Sequence, residues 1–300
     1  MVGRDLAARL GQAGARGSDG VVMSLRETLA GPAGAAWRLV GPLLPRPPGA
    51  FRILMFHDVP DSQRAALRRL VERLVAENRL IGPAEAASRL RHGGASPGLP
   101  PVLLSFDDGF ASNLEVAETI LAPLGAHALF FVCPGLMDLS KDEQAAAVSA
   151  NVLRGLKPAP EPLMDWTAVE RLVTLGHTIG NHTSDHLRLT ELSADAKAEQ
   201  IEKAAEALRS RLGETPDWFA YTFGDVDSID AESLHLIGRH HRYCRSGVRG
   251  VNGKGTAPLA LRGDHVDLAA TPTWRMLAVD GALALAYGEQ RQHLDRMVQA

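Results

Sequence analysis

Short apolar runs alternate with amphipathic stretches along most of the chain, and this pattern predicts a sheet surrounded by helices. The runs of strand length are residues 51–59, 102–106, 126–133, 177–181, 218–221 and 243–246, with residues 259–262 as a further candidate. Apolar residues recur at helical spacing in residues 63–78, 83–91, 113–124, 142–153, 166–175, 193–212, 231–239 and 273–298. Strands that alternate with helices form mostly parallel sheets. The alternation alone fits a barrel and a doubly wound open sheet equally well.

The first 50 residues differ from the rest because they are rich in Gly, Ala, Pro and Arg. Residues 24–40 have the apolar spacing of a short amphipathic helix, and residues 42–48 (PLLPRPP) predict a stiff, extended connector. We therefore divide the chain into an N-terminal arm, residues 1–50, and one catalytic domain, residues 51–300.

Composition excludes several classes of protein. The 300 residues are 45% hydrophobic, enough for a sizeable core, and the net charge of −3 gives no electrostatic reason to expect nucleic acid. No apolar run is long enough for a transmembrane helix, and Asp5, Arg9 and Arg16 interrupt any signal-peptide core. The sequence thus predicts a cytoplasmic protein. Association of the arm with a membrane surface stays open, and no pattern indicates an oligomeric state.

The most informative stretch is residues 105–109 (SFDDG), which closes the apolar run at residues 102–106. Such a run, ended by a polar turn, predicts a buried parallel strand, and α/β folds place their chemistry at the carboxyl ends of these strands. Asp107 and Asp108 are adjacent carboxylates, which resist joint ionisation. A cation would relieve that repulsion, with one carboxylate as ligand and the other free as a base. A turn that caps the next helix is the alternative.

A second polar stretch, residues 180–186 (GNHTSDH), follows another strand-like run. His182 and His186 are four residues apart and can converge on one ion if the segment forms a helical turn. One aspartate and two histidines are an ordinary ligand set for a hydrolytic metal ion that keeps a position open for water.

SFDDG followed by HTSDH resembles the first two motifs of the polysaccharide deacetylase family, carbohydrate esterase family 4. Residues 219–224 (FAYTFG) resemble a variant of its third motif, and the likeness covers roughly residues 51–262. The resemblance implies a distorted (β/α)7 barrel. It also implies Asp107 as general base, the Phe223 N–H as oxyanion donor, and Asp108, His182 and His186 as metal ligands. Because nitrogen donors outnumber the oxygen donor, the implied ion is Zn²⁺ or another divalent transition metal such as Co²⁺ or Ni²⁺.

The sequence departs from the common family pattern in two places. Ala220 stands where many members have an arginine that steadies the base, and the usual C-terminal histidine motif is missing. A branch of the family lacks that arginine, and some relatives take the general acid from a histidine after the first strand. His57 resembles that histidine, with Asp58 as the residue that would orient it, and His265 is the second candidate for the acid.

The resemblance implies a metal-dependent hydrolase that removes N-acetyl groups from amino sugars of a polysaccharide or glycoconjugate, through water activated by the metal ion and an aspartate base. The expected partner is an N-acetylated glycan. Two alternatives stay open at this point. The same residues could serve an amidase or esterase with a non-carbohydrate substrate, or a catalytically impaired glycan-binding protein.

Overall fold

A computed structural model of the protein describes residues 25–155 and 162–299, with side chains from Ala30 onward. The portion of the predicted arm before residue 25 lies outside this range. The described strands are β1 (Arg52–Phe56), β2 (Val102–Phe106), β3 (Ala128–Val132), β4 (Thr178–Asn181), β5 (Trp218–Ala220), β6 (Tyr243–Arg245) and β7 (Asp264–His265). They form one sheet in the order β6-β5-β4-β3-β2-β1-β7, and every neighbouring pair is parallel. The sheet curls into the distorted (β/α)7 barrel that the resemblance implied.

Helices connect the strands, as the apolar periodicity predicted. The α-helices are α1 (Leu25–Val40), α2 (Asp61–Ala76), α3 (Pro83–His92), α4 (Ser112–Val116), α5 (Pro134–Met137), α6 (Lys141–Ala147), α7 (Trp166–Thr174), α8 (Ala194–Ala198), α9 (Ala204–Leu212), α10 (Ala231–His240), α11 (Pro272–Asp280) and α12 (Gly288–Gln299). Wider π-helical segments extend α4, α6 and α8 through Ala117–Leu121, Val148–Val152 and Glu199–Lys203. Short 3₁₀ turns occupy Gly41–Leu43, Ala122–Leu124, Leu189–Glu191, Pro258–Ala260 and Ala282–Tyr287.

The seventh strand lies later in the chain than the sequence suggested. The candidate stretch 259–262 begins in the 3₁₀ turn Pro258–Ala260, and the strand is Asp264–His265 beside β1. Leu261 instead forms an isolated parallel bridge with Arg245 on β6, and the Ser246 N–H donates to the Leu261 carbonyl at 2.8 Å. This bridge links the edge strand β6 to the segment before β7, the other edge strand. The two edges of the curled sheet therefore meet there through a single bridge rather than through a continuous strand pair.

Side chains alternate between the inside of the barrel and its outer layer, as they must in a strand. On the inside, a buried cluster includes Ile53, Leu103 and Tyr243. On the outside, residues such as Leu54 and Leu104 pack against the surrounding helices. Toward the carboxyl ends of the strands, the same inward alternation leads to Met55 on β1, Ser105 on β2 and Arg245 on β6, and then to His57 and Asp107 just after β1 and β2. The fold therefore directs these side chains to one end of the barrel.

The second half of the predicted arm packs against the barrel domain. The Trp37 indole N–H donates to the Asp280 carbonyl oxygen at 2.7 Å, and the Arg38 guanidinium pairs with the Asp280 carboxylate at 3.0 Å. These contacts hold the end of α1 against α11. The division at residue 50 stays a prediction. Within the described residues, no helix has the length and apolar character needed to cross a bilayer.

A buried histidine supports the strand that leads into the polar stretch 180–186. The ring of His241 is buried, and its Nδ1–H donates to the Pro216 carbonyl at 2.7 Å. Its Nε2 lies 3.1 Å from the side-chain nitrogen of Asn181, so it accepts a hydrogen bond only when the ring is neutral. Asn181 in turn accepts from the Thr183 N–H at 2.9 Å. Burial, opposed by the Pro216 carbonyl, lowers the pKa of His241 from 6.5 to about 4.

This lowered pKa predicts a loss of stability in mild acid. Between about pH 6.5 and pH 4 the unfolded chain binds a proton at His241 that the folded protein excludes. The stabilisation is therefore complete above pH 6.5 and falls as the pH approaches 4, by the order of 2 to 3 kcal/mol. Urea unfolding of wild type and His241→Asn across this range measures it. The variant should show a flatter pH dependence, and the exposed His235→Gln on the preceding helix α10 should match wild type. Equal slopes in all three proteins would contradict the assignment.

Candidate active site

The two adjacent aspartates occupy the turn after β2, inside the carboxyl end of the barrel. Asp108 has a positive φ of 71°, and Gly109 follows at 79°, so the chain turns sharply after the strand. The sharp turn at Asp108 lets consecutive side chains serve one site. Both carboxylates are buried, with 3% and 2% of Asp107 and Asp108 exposed. Burial of two carboxylates is costly unless cations or hydrogen bonds compensate them.

Asp108 lies against the two histidines of the second polar stretch. Its Oδ1 atom is 3.3 Å from His182 Nε2 and 3.2 Å from His186 Nε2. The three candidate ligand atoms all lie within 4.8 Å of one another. Asp108 Oδ1 is buried and has no hydrogen-bond partner among the described residues. An orphaned carboxylate oxygen facing two imidazole nitrogens fits a divalent transition metal ion.

Backbone carbonyls orient the two imidazole rings. His182 Nδ1 is 2.6 Å from the Ala220 carbonyl, and His186 Nδ1 is 3.2 Å from the Asn151 carbonyl. A ring whose Nδ1–H donates to a carbonyl presents an unprotonated Nε2 to a metal ion. Ala220, at the position of the missing family arginine, thus contributes its backbone to the site.

The segment from His182 to His186 is a loop, not the helical turn that the spacing suggested. Thr183 and His186 both have a positive φ, at 68° and 57°. The Thr183 hydroxyl accepts from the His186 N–H at 3.1 Å, which stabilises this tight conformation. The two rings therefore converge through left-handed backbone rather than through helical periodicity.

Neighbouring groups favour the ionised form of Asp108. Burial opposes ionisation, but the adjacent imidazoles of His182 and His186 hold the pKa of Asp108 well below its usual value. The nearby Cys133 thiol behaves in the opposite way, because burial and the surrounding carboxylates raise its pKa well above normal. It donates to the His182 carbonyl at 3.2 Å and stays a neutral thiol.

Arg245 pairs with Asp107 and was not singled out by the sequence analysis. Its Nη2 atom donates to Asp107 Oδ2 at 2.5 Å, and only 1% of its side chain is exposed. The guanidinium also lies 5.0 Å above the Phe131 ring and donates to the Ser246 carbonyl at 3.3 Å. The base candidate therefore has a buried cation beside it although residue 220 is alanine. In the sequence, the feature that could have indicated Arg245 was a charged residue at an inward-facing position of a short strand.

His57 lies beside Asp107 and is partly exposed to solvent. Its Nε2 atom is 4.0 Å from Asp107 Oδ2, and 41% of its side chain is exposed. Asp58 does not take the orienting role that the sequence suggested, since its carboxylate accepts from the Ser112 hydroxyl at 2.8 Å. The His265 ring lies 5.6 Å from the His57 ring. Packing around His265 and repulsion from His57 lower the pKa of His265, although part of the residue remains exposed.

One cavity of about 300 Å³ is lined by His57, Asp107, Asp108, His182, His186 and Arg245, but not by His265. Phe223 forms part of its wall, with its ring 4.9 Å from the His186 ring and a left-handed φ of 64°. Two arginines flank the same phenyl ring, with the guanidinium carbons of Arg188 and Arg154 at 4.6 and 5.1 Å from its centroid. The cavity thus combines a carboxylate, an Asp-His-His cluster and a solvent-facing histidine around a volume suited to a small group such as an acetyl.

Comparison with known proteins agrees with this arrangement. Residues 95–239 match the sequence model of the polysaccharide deacetylase family, and they contain Asp107, Asp108, His182, His186 and Phe223. The comparison with curated protein sequences gave no match.

Solved structures share the fold over most of the chain. The deacetylase PplD of Streptococcus pyogenes, solved with acetate, is 18% identical with a TM-score of 0.60, and the alignment covers 76% of this chain and 96% of that one. IcaB from Ammonifex degensii is 22% identical with a TM-score of 0.58, over 77% and 97% of the chains. The BpsB deacetylase domain of Bordetella bronchiseptica is 19% identical with a TM-score of 0.58, over 74% and 98%. Residues 95–239 are therefore identified as a polysaccharide deacetylase domain, and the solved structures share the fold of the chain around it.

Proposed function

We propose that this protein is a metal-dependent hydrolase that removes N-acetyl groups from amino sugars of a polysaccharide or glycoconjugate. The observation that carries the proposal is the convergence of Asp108, His182 and His186 beside Asp107, which Arg245 holds in place. The match of residues 95–239 to the polysaccharide deacetylase model supports an acetylated sugar as the substrate class. Two of the structural relatives, PplD and the BpsB domain, are deacetylases and support the same class.

Asp108, His182 and His186 would hold the metal ion. When bound, a Zn²⁺, Co²⁺ or Ni²⁺ ion would supply Lewis acidity that polarises the acetyl carbonyl and makes water more acidic. The unprotonated Nε2 atoms and the free Asp108 oxygen are the donors that such an ion prefers.

The remaining residues handle the protons and the developing charge. Asp107 accepts a proton from the attacking water, and its unpartnered Oδ1 atom is the oxygen available for that transfer. The Phe223 N–H donates to the oxyanion that forms at the acetyl carbonyl. His57 gives its proton to the sugar nitrogen as the C–N bond breaks, so that the products are the free amine and acetate. Its exposed ring can regain the proton from solvent.

Acetate release tests the proposal directly. The protein is stripped with a chelator, reloaded with Zn²⁺ or Co²⁺, and incubated with N-acetylglucosamine oligomers, O-acetylated sugars and cyclic amides. We expect acetate from the N-acetylated oligomers only, with activity lost on chelation and restored by metal. A metal-loaded, folded protein that releases no acetate from any N-acetylated glycan would refute the proposal, and hydrolysis of cyclic amides alone would move it to another substrate class.

The Arg245–Asp107 pair gives a further prediction. Arg245→Met removes the buried cation, and we expect kcat/KM to fall about ten- to a hundredfold because the ionised form of Asp107 loses its partner. Asp108, His182 and His186 are unchanged, so the zinc content should match that of wild type. Steady-state acetate release and zinc content, measured on the same preparation, check both expectations.

Arg245→Lys is the matched control because it keeps the positive charge and loses only the planar guanidinium group with its paired N–H donors. We expect it to recover part of the rate. A merely structural role would lower the amount of folded protein in both variants without changing kcat/KM per folded, zinc-loaded molecule. An unchanged kcat/KM in folded, zinc-loaded Arg245→Met would therefore show that Arg245 does not position the base.

A further inference from the structure

A second and larger cavity lies at the other end of the barrel. Its volume is about 690 Å³, and its wall includes Arg52 at the start of β1, Pro100 before β2 and Arg262 before β7. His57, in the candidate active site, follows the carboxyl end of β1. The two cavities are thus separated by the length of that strand, roughly 15 Å. The catalytic chemistry described above uses none of the residues that line the larger cavity.

Cations dominate this second cavity. Arg46, Lys254 and Arg291 line it, and within the described part of the chain none of the three pairs with a carboxylate. The guanidinium groups of Arg46 and Arg291 donate only to backbone carbonyls, those of Gly41 and Gly98 for Arg46 and those of Arg249 and Ala284 for Arg291. Three positive charges that face one volume repel each other unless an anion compensates them.

The carboxylates of the same cavity are already engaged. Asp280 accepts from Arg38 at 3.0 Å and from Arg79 at 2.7 Å, and Asp295 pairs with Arg262 at 2.5 Å. They therefore pair directly with other guanidinium groups, and within the described residues Arg46, Lys254 and Arg291 have no carboxylate partner of their own.

A buried, incompletely satisfied arginine forms part of the wall. Only 4% of Arg52 is exposed, and its Nε atom has no hydrogen-bond partner among the described residues. Its Nη2 atom donates to Asp264 at 2.5 Å. A buried N–H without an acceptor costs stability. An anion in the adjoining cavity would offset part of the charge of this guanidinium group. Burial and repulsion from neighbouring arginines also lower the pKa of Arg46 and of Arg291, as expected for crowded cations.

We propose that this second cavity binds the phosphate group of an organic phosphate ester. A phosphate group offers several oxygens and up to two negative charges, so it can accept from guanidinium and ammonium groups on different sides of one volume. A carboxylate has only two oxygens for the same purpose. The cavity is far larger than an inorganic phosphate ion, and Trp37, Leu44 and Leu285 provide an apolar wall for the organic part of the ester.

The surroundings of the cavity define two sources for such a phosphate. Exposed leucines lie at and beside its rim, with 77% of Leu39, 80% of Leu43 and 69% of Leu285 accessible. Basic side chains beside exposed apolar ones are the combination that binds anionic lipid headgroups. A soluble phosphate ester would use the same cations without the leucines. One experiment with two arms separates these sources.

The soluble arm is calorimetric titration with glycerol 1-phosphate, and the lipid arm is co-sedimentation with phosphatidylglycerol or phosphatidylcholine vesicles. The test variants are Lys254→Gln and the double variant Lys254→Gln/Arg291→Gln, which leave the Arg52–Asp264 pair intact. The control is Lys203→Gln/Arg209→Gln, which removes two exposed charges that do not line the cavity.

We expect saturable binding in at least one arm, weakened about tenfold in the double variant and unchanged in the control. Binding of the soluble ester alone identifies a soluble ligand, and preference for phosphatidylglycerol over phosphatidylcholine identifies a lipid headgroup. Absence of binding in both arms, or equal binding by all variants, would overturn the proposal. Acetate release should be the same in every variant, so the outcome is independent of the proposed catalytic function. Lys254→Gln alone changes an exposed side chain and keeps the test valid if the double variant does not fold.

Discussion

Asp107→Asn is expected to reduce acetate release by about a thousandfold or more while leaving the capacity for metal binding intact. The asparagine side chain has nearly the same shape and can still accept from Arg245, but it cannot take a proton from water. Asp108, His182 and His186 are unchanged, so the candidate metal ligands remain in place. Initial rates and zinc content, measured on the same preparation, separate the loss of the base from a loss of metal.

Asp185→Asn is the matched control for this variant. Asp185 lies in the same loop as the two histidines, but its carboxylate accepts from Gln200 at 2.6 Å and it does not line the catalytic cavity. The same chemical change should therefore alter kcat/KM by less than about threefold. A rate within tenfold of wild type for Asp107→Asn would show that another group takes the proton, and the assignment of the base would have to be abandoned.

Local patterns in the sequence were sufficient to predict where six of the seven strands lie and that Asp108, His182 and His186 come together after them. The five-residue apolar run Val102–Phe106 is followed by Asp107 and Asp108. Such a stretch forms few stable structures other than a buried strand that ends in a polar turn. Alternation of such runs with amphipathic helices then requires a parallel sheet. The closing strand was missed because β7 has only two residues, Asp264 and His265, and carries no apolar run.

The geometry of the histidine pair could not be obtained from spacing. The interval between His182 and His186 suggested a helical turn, but the chain uses two left-handed residues in a loop. That conformation is stabilised from outside the segment, by the carbonyls of Ala220 and Asn151 that orient the rings. Sequence spacing therefore indicated the candidate ligands, while tertiary contacts determine how their side chains approach one another.

Arg245 illustrates the same limit more strongly. The sequence showed that Ala220 could not supply a cation to Asp107, and this absence favoured an impaired site as one alternative. The cation comes instead from β6, 138 residues away from Asp107 along the chain. Only the order of strands around the barrel brings Asp107 and Arg245 together, since both point inward at its carboxyl end. A residue whose role depends on closure of the barrel carries no signal in the adjacent sequence. The presence of Arg245 beside Asp107 weakens the case for a catalytically impaired site.

His182→Ala is expected to abolish high-affinity zinc binding and to lower acetate release by about a thousandfold or more. Asp108 and His186 would then offer two ligands, fewer than the three that hydrolytic zinc sites use. Zinc should also raise the melting temperature of wild type, because an ion bound only by the folded state stabilises it. In the variant this rise should disappear, which gives a readout independent of activity.

The control for the metal site is His92→Ala, which removes an exposed histidine on α3, remote from the cluster. It should bind one equivalent of zinc and show the same rise in melting temperature as wild type. Metal content by elemental analysis and calorimetric titration then compare the three proteins. If His182→Ala binds zinc as tightly as wild type, the ion lies elsewhere. The convergence of Asp108, His182 and His186 would then be a buried hydrogen-bonded cluster, and hydrolysis would need a different source of activated water.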